Sequence, residues 1–290
     1  MYKAIAANKR NTIFVMLAFV AIISAIGAVV AFFVQDNWVI VYTLVIATIY
    51  AVIQYFAANK LAVMMTGAKP ITRKDSPKLY HVVETISIST GLPMPQIYLI
   101  DDPAPNAFAS GRDPKHAIVA ATTGLLQIMD DKELEAVMAH EMGHVQNYDI
   151  RVSMITFGLV CAIGLLANLV SRILIGGSDR RDGGIFMLIA GLFVAILAPL
   201  GAIIAQMAVS RQREYLADAT SVMTTRYPEA MISALKKLDQ YGKPMRKQNA
   251  ATEAMFINSP LKKGFFNNLF STHPPIAKRI ARLQNNEAKF

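Results

Sequence analysis

Two histidines stand four residues apart in His140-Glu141-Met142-Gly143-His144. On a helix, positions i and i+4 lie one above the other, so both imidazoles reach a single ion. Zinc takes four tetrahedral ligands, and a catalytic zinc site leaves one of them to water. Bound zinc lowers the pKa of that water to about 7. Glu141, beside the first histidine, is placed to take the proton and to return it to the departing amine of a cleaved peptide. The chemistry predicted is peptide-bond hydrolysis. The same five residues also fit an ordinary helix with two buried or solvent-facing histidines, so the pattern needs support from elsewhere in the chain.

A third ligand comes from Arg213-Glu214-Tyr215-Leu216-Ala217-Asp218. Glu214 and Asp218 are again i and i+4, so one helix face carries both. Glu214 is the candidate ligand, and Asp218 the carboxylate that fixes a ligating histidine's tautomer; taken alone, the two would pass for an exposed acidic pair. His273 opens a helix at Thr272-His273-Pro274-Pro275, where its ring can donate a hydrogen bond to a developing oxyanion. The competing reading there is a surface histidine at a turn. His81 and His116 have no partner at ligand spacing and read as structural or exposed. The single cysteine, Cys161, excludes an intrachain disulfide framework and a cysteine zinc cage.

The elements that hold these groups follow from composition. Of 290 residues, 54% are hydrophobic and 17% charged, against roughly half and a quarter in soluble domains. The excess is concentrated. Asn11–Val34 carries no charge over 24 residues and Trp38–Phe56 none over 19; at about 1.5 Å per residue both cross a hydrocarbon layer of roughly 30 Å. The first is too long for the apolar region of a signal peptide and ends in no small-residue cleavage site. Val152–Ile175 and Ile185–Val209 are also long enough, giving four expected spans. Arg172, in the third, lies near its end, where its side chain can snorkel to the interface. Lys3, Lys9 and Arg10 precede the first span, Lys60, Lys69, Arg73 and Lys74 follow the second, and Arg211 and Arg213 follow the fourth. The positive-inside rule then places both termini and the catalytic segments in the cytoplasm, although Arg180 and Arg181 between spans three and four run against it. Spans three and four make a hairpin, so the helices bearing His140 and Glu214 emerge at one membrane face. Residues 210–290 hold 14 Lys+Arg against 6 Asp+Glu, within a net charge of +9 for the chain. In a bilayer protein that excess points to an anionic lipid surface or a solvated face rather than to nucleic acid.

Four segments result: 1–56, two membrane helices; 57–151, a cytoplasmic unit carrying the histidine helix; 152–209, the hairpin; 210–290, a cytoplasmic part with the third ligand and the His-Pro-Pro segment. The fold class predicted is an α-helical membrane protein with a mainly helical, zincin-like α+β catalytic domain and a small sheet. Asp75-Ser76-Pro77 starts a helix that stops at Gly91. Gln96–Ile100, Ala107–Ser110 and His116–Ala121 read as strands. Asp130 and Glu133 form a capping-box pattern ahead of the histidine helix. Arg211–Met223 continues as helix, another starts at Pro228, and Tyr241–Asn268 reads as loop.

Two N-terminal spans, Pro105-Asn106-Ala107-Phe108-Ala109, His140–His144, Glu214–Asp218 and Thr272-His273-Pro274-Pro275 occur in this order and spacing. Over essentially its whole length the chain resembles the HtpX-type membrane zinc metalloproteases, bacterial heat-shock proteins related to the CAAX prenyl endopeptidases. The resemblance implies one zinc per subunit on His140, His144 and Glu214, Glu141 as general base, and His273 assisting the transition state. It also implies that Asn106 and Arg279 lie near the substrate cleft, and that substrate binds as an extended strand on a sheet edge, for which His116–Ala121 is the candidate. The implied partners are misfolded or damaged membrane proteins, in a bacterial cell membrane. Two other readings use the same residues: a CAAX-type processing protease, and a non-catalytic scaffold in which the metal is structural. The scaffold lacks an obvious fourth protein ligand.

Overall fold

The computed structural model describes residues 2–176, 211–247, 255–260 and 274–286. Two long helices open the chain, α1 (Tyr2–Val34) and α2 (Trp38–Thr66). Within them, Ile5–Phe32 and Trp38–Ala57 are long and apolar enough to cross a membrane. Ile13, Leu17, Phe32, Ile46 and Phe56 are each about 60–70% exposed. A helix that is apolar on every side and bare of protein cover suits lipid rather than water.

The predicted third span is one helix, α6 (Asp149–Gly176). It packs on α1 and α2 through a cluster of Val15, Phe19, Ala47, Ala51, Ile155 and Leu159. It reaches there by a bend of 81° from the preceding helix, α5 (Asp131–Gln146), through Tyr148, whose φ is +62°. Among the described residues two helices meet the test for a span, or three if the bent pair is one. Four spans are therefore not reached; the expected fourth, Ile185–Val209, lies outside the described residues.

The part of the chain after α2 is built on a small mixed sheet of β1 (Lys69–Pro70), β2 (Gln96–Ile100), β3 (Ala107–Gly111) and β4 (Ala117–Thr122), in the order β1-β2-β4-β3. β4 pairs in parallel with β2 and antiparallel with β3. This corrects the edge-strand expectation: the strand begun at His116 is central, its hydrogen-bonding groups are used on both sides, and it cannot accept a substrate strand. β3 is outermost, yet all five of its residues are buried, and Phe256 bridges to Phe108 across its outer edge. That bridge lies inside the segment predicted as loop.

Side chains alternate across the sheet. Ala107, Ala109, Val119 and Ala121 face α5, α3 (Pro77–Thr90) and the main core. Phe108, Ile118 and Ala120 face the other way, onto Ala62 of α2 and Phe157 of α6. α3 runs from Pro77 to a left-handed Gly91, as its sequence predicts, although Ser76 makes no side-chain cap bond. A short helix, α4 (Thr123–Ile128), leads to α5, whose capping box forms as expected: Asp130 accepts from the Glu133 backbone and Glu133 from the Asp130 backbone. Among the described residues three more helices follow: α7 (Arg211–Thr225), α8 (Pro228–Tyr241) and α9 (Ile276–Asn286).

Candidate metal centre

α5 lies buried between the sheet and α7. Its last two turns bring the His140 and His144 rings edge to face, with Nε2 atoms 3.2 Å apart. α7 is held against α5 by a bond from the Ser221 hydroxyl to the Ala136 carbonyl at 2.6 Å. The two helices approach so closely because residue 143 is glycine: a Cβ there would lie 3.3 Å from Thr220 and 3.5 Å from the Ala217 Cα. Glu214, one turn before Ala217, is thereby placed over the rings. Its Oε2 is 3.8 Å from His140 Nε2 and its Oε1 3.5 Å from His144 Nε2.

These donors suit one metal ion. Tetrahedral bonds of about 2.0–2.1 Å set ligand atoms about 3.3 Å apart; the two ring nitrogens are 3.2 Å apart, and one ligand atom from each of His140, His144 and Glu214 lies within 4.8 Å of the others. Each imidazole is also turned to offer Nε2, because its other nitrogen meets a carboxylate. His140 Nδ1 is 3.0 Å from Asp218, and His144 Nδ1 is 3.0 Å from Asp149. A ring that donates from Nδ1 keeps an Nε2 lone pair for a cation. Glu141 is 1% exposed, and its charge reaches both His144 and Arg279.

Arg279 closes the back of the site. It is 1% exposed and grips Asp218 with two nitrogens, at 2.9 and 2.6 Å. A third nitrogen lies 3.5 Å from Glu214. The structure thus puts Arg279 behind the ligands, with its fork occupied. Asn106 is likewise buried: its amide donates to the Asn258 carbonyl at 2.9 Å, and its oxygen accepts from the backbone of Ala107 and Asn258. It ties residues 255–260 to the start of β3. His273 lies outside the described residues.

The electrostatics divide the two rings. Burial, with Arg279 adding to it, pushes His140 down to about 4. Burial opposes charge on His144 too, but the bond to Asp149 and the negative charges of Glu214 and Glu141 lift it to about 9. Asp218 falls below the usual carboxylate range: burial opposes its charge, and Arg279 more than compensates. The metal-free pair is thus divided, with His140 driven towards the neutral form and His144 towards the charged one.

Sequence reasoning found the two rings, Glu141, Glu214 and Asp218. It missed Asp149 and Asn8. The Asn8 amide, 3% exposed on the first membrane helix, donates to Asp149 at 2.6 Å and to the Asn147 carbonyl at 2.9 Å. Gly143, inside the motif, was also passed over.

A family profile described as Peptidase family M48 matches residues 73–287, taking in every group above except Asn8. The chain belongs to that family. This M48 peptidase is 52% identical to a protein named "Protease HtpX homolog" from Tropheryma whipplei (strain Twist), over the whole of both chains. It is 46% identical to one from Streptococcus uberis (strain ATCC BAA-854 / 0140J), across 98% of this chain and 99% of the other. Among solved structures, Ste24p from S. mikatae aligns with a TM-score of 0.51 at 20% identity, covering 98% of this chain and 67% of that one; at this identity the likeness concerns the fold. Family, relatives and apolar helices together make it a membrane protease of a metallopeptidase family.

Proposed function

We propose that this M48 peptidase is a zinc-dependent endopeptidase that hydrolyses misfolded or damaged membrane proteins, with His140, His144 and Glu214 as ligands of one zinc per subunit. The observation that carries this reading is the convergence of two imidazole nitrogens and a carboxylate at 3.2–3.8 Å, with a carboxylate behind each ring. When bound, zinc acts as a Lewis acid and acidifies a water molecule. Glu141 takes the proton of that water and delivers it to the amine that leaves. Asp218 and Asp149 keep the rings in the tautomer that exposes Nε2, and Arg279 holds Asp218 charged. His273 donates to the oxyanion. The catalytic segments and both termini are cytoplasmic in a bacterial membrane; the basic residues that flank the N-terminal spans support this orientation.

The test is Glu141→Gln in purified full-length protein. The variant is expected to keep its zinc and to lose cleavage of an unfolded membrane protein by at least two orders of magnitude. Undiminished turnover refutes the assignment of Glu141. A prenylated peptide offered in parallel separates substrate classes, since preferential cleavage there reassigns the enzyme to CAAX-type processing. A protein that holds zinc but cleaves neither substrate is a metal-binding scaffold.

A further inference from the structure

On the face of the sheet turned away from the metal centre, a cleft of about 490 Å³ opens between α2 and the start of β4. Its walls include Lys60, Arg112 and Lys115, together with Tyr55, Phe56 and Tyr98, and among the described residues no Asp or Glu lines it. Arg112 lies over the Phe56 ring at 5.3 Å and is 3.6 Å from Asp113, which lies outside the cleft. Its NH2 is also 2.7 Å from His116 Nε2. Lys60 and Lys115 are exposed and form no ion pair among the described residues. Three cations thus share one concavity with no acid among its described lining residues.

The cleft begins where the apolar span Trp38–Ala57 ends. Ile49, Ile53, Phe56, Lys60 and Met64 follow one another at three- and four-residue steps, so they occupy one face of α2. The apolar members of that face are between 53% and 68% exposed. Along one helix face, therefore, an uncovered apolar stripe leads directly into a cationic pocket at the membrane boundary. Arg151 marks the same level: its guanidinium lies between Tyr55 and Tyr148, at 5.6 and 4.9 Å from their ring centroids. Aromatic and basic side chains gather at this depth of a bilayer.

We infer that this cleft binds the headgroup of an anionic phospholipid, its phosphate held by Lys60, Arg112 and Lys115 and its acyl chains lying along Ile49, Ile53 and Phe56. An acyl stripe joined to a cation cluster matches an amphiphile. A soluble anion would use the cations alone, and an acidic peptide would leave the apolar stripe bare. The inference stands on this cleft and is independent of the zinc reading.

The test uses full-length protein in a non-ionic detergent, titrated calorimetrically with dihexanoyl phosphatidylglycerol and dihexanoyl phosphatidylcholine below their micelle concentrations. Inorganic phosphate and a polyglutamate peptide are titrated in the same way. Each basic side chain near an anionic lipid surface contributes a factor of about five, so the three give the anionic lipid an advantage on the order of a hundredfold. Lys60→Gln with Lys115→Gln should cut that advantage about 25-fold, leaving bound metal and peptide cleavage unchanged. Both side chains are exposed and form no ion pair among the described residues, so the pair of substitutions should spare the fold; Lys236→Gln with Lys243→Gln, outside the cleft, should leave the preference intact. Equal affinity for the two lipids overturns the inference, as does a preference that survives the cleft variant. Binding of phosphate or polyglutamate as tight as that of the anionic lipid also overturns it.

Discussion

Gly143 sets the distance between α5 and α7, and filling it should uncouple Glu214 from the histidines. A Cβ at position 143 would meet Thr220 at 3.3 Å, whereas carbon atoms rest at about 3.5–4.0 Å. Gly143→Ala therefore asks α7 to move by a few tenths of an ångström. It also gains about 1 kcal/mol of helix propensity, so the folded protein should be as stable as before. Gly143→Val adds methyl groups about 1.5 Å farther out, and the displacement grows to more than 1 Å. Glu214 sits one turn from the contact on the same helix, and its oxygens already lie 3.5 and 3.8 Å from the ring nitrogens. Metal–ligand bonds tolerate about 0.2 Å, so the valine variant should lose its third ligand. Its zinc affinity, measured by competition with a chromophoric chelator, should fall at least tenfold, and overpacking should cost about 1–3 kcal/mol in thermal unfolding of the metal-free protein. Thr220→Ala removes one of the two contacting atoms and should restore part of the affinity. Wild-type zinc affinity in Gly143→Val, with a melting transition that shows it folded, would refute the claim that this glycine sets the ligand spacing.

Arg279→Met leaves the Asp218 carboxylate buried without its two-pronged partner; we expect a loss of about 3–5 kcal/mol in unfolding free energy, and Arg279→Lys should recover little because an ammonium cannot reproduce the fork. A wild-type melting curve for Arg279→Met would remove that role. Asn8→Leu cuts the bond from the first membrane helix to Asp149 and frees the His144 ring to turn, so zinc affinity should drop about 10-fold while the helical signal in circular dichroism stays constant; unchanged affinity would make Asn8 a packing residue only. Zinc uptake at pH 7 should release one proton, because His144 keeps its second ring proton up to about 9, whereas His140, down near 4, is already neutral. A folded-state value above the ordinary 6.5 means that acid opposes binding: apparent affinity should fall about tenfold per pH unit from pH 9 downwards. Calorimetry in buffers of different ionisation enthalpy counts the proton, and a count of zero refutes the assignment.

The comparison of sequence with fold divides along the range of the forces involved. Everything local was legible. The His140–His144 spacing, the Asp130–Glu133 box, the Pro77 and Pro228 helix starts and the apolar lengths of α1 and α2 each follow from the backbone geometry of a few adjacent residues. The positions of three of the four strands were legible too, within a residue or two, but not the two-residue β1 or the strand order. Nothing between Gly111 and His116 tells that β4 will pair in parallel with β2, and that pairing makes the expected edge strand a central one. The second carboxylates behave alike. Asp218 was found because it shares a helix face with Glu214. Asp149 was not, because its partner ring is reached only after the chain turns 81° at Tyr148. Asn8 lies 141 residues from Asp149, and Arg279 lies 61 from Asp218. The sequence determined which side chains are able to bind a cation and which segments belong in a bilayer, because composition and periodicity act within one element. Tertiary structure alone decided which carboxylate backs which imidazole, how closely α7 approaches α5 and where Arg279 is buried, because those depend on packing between elements that the chain keeps far apart.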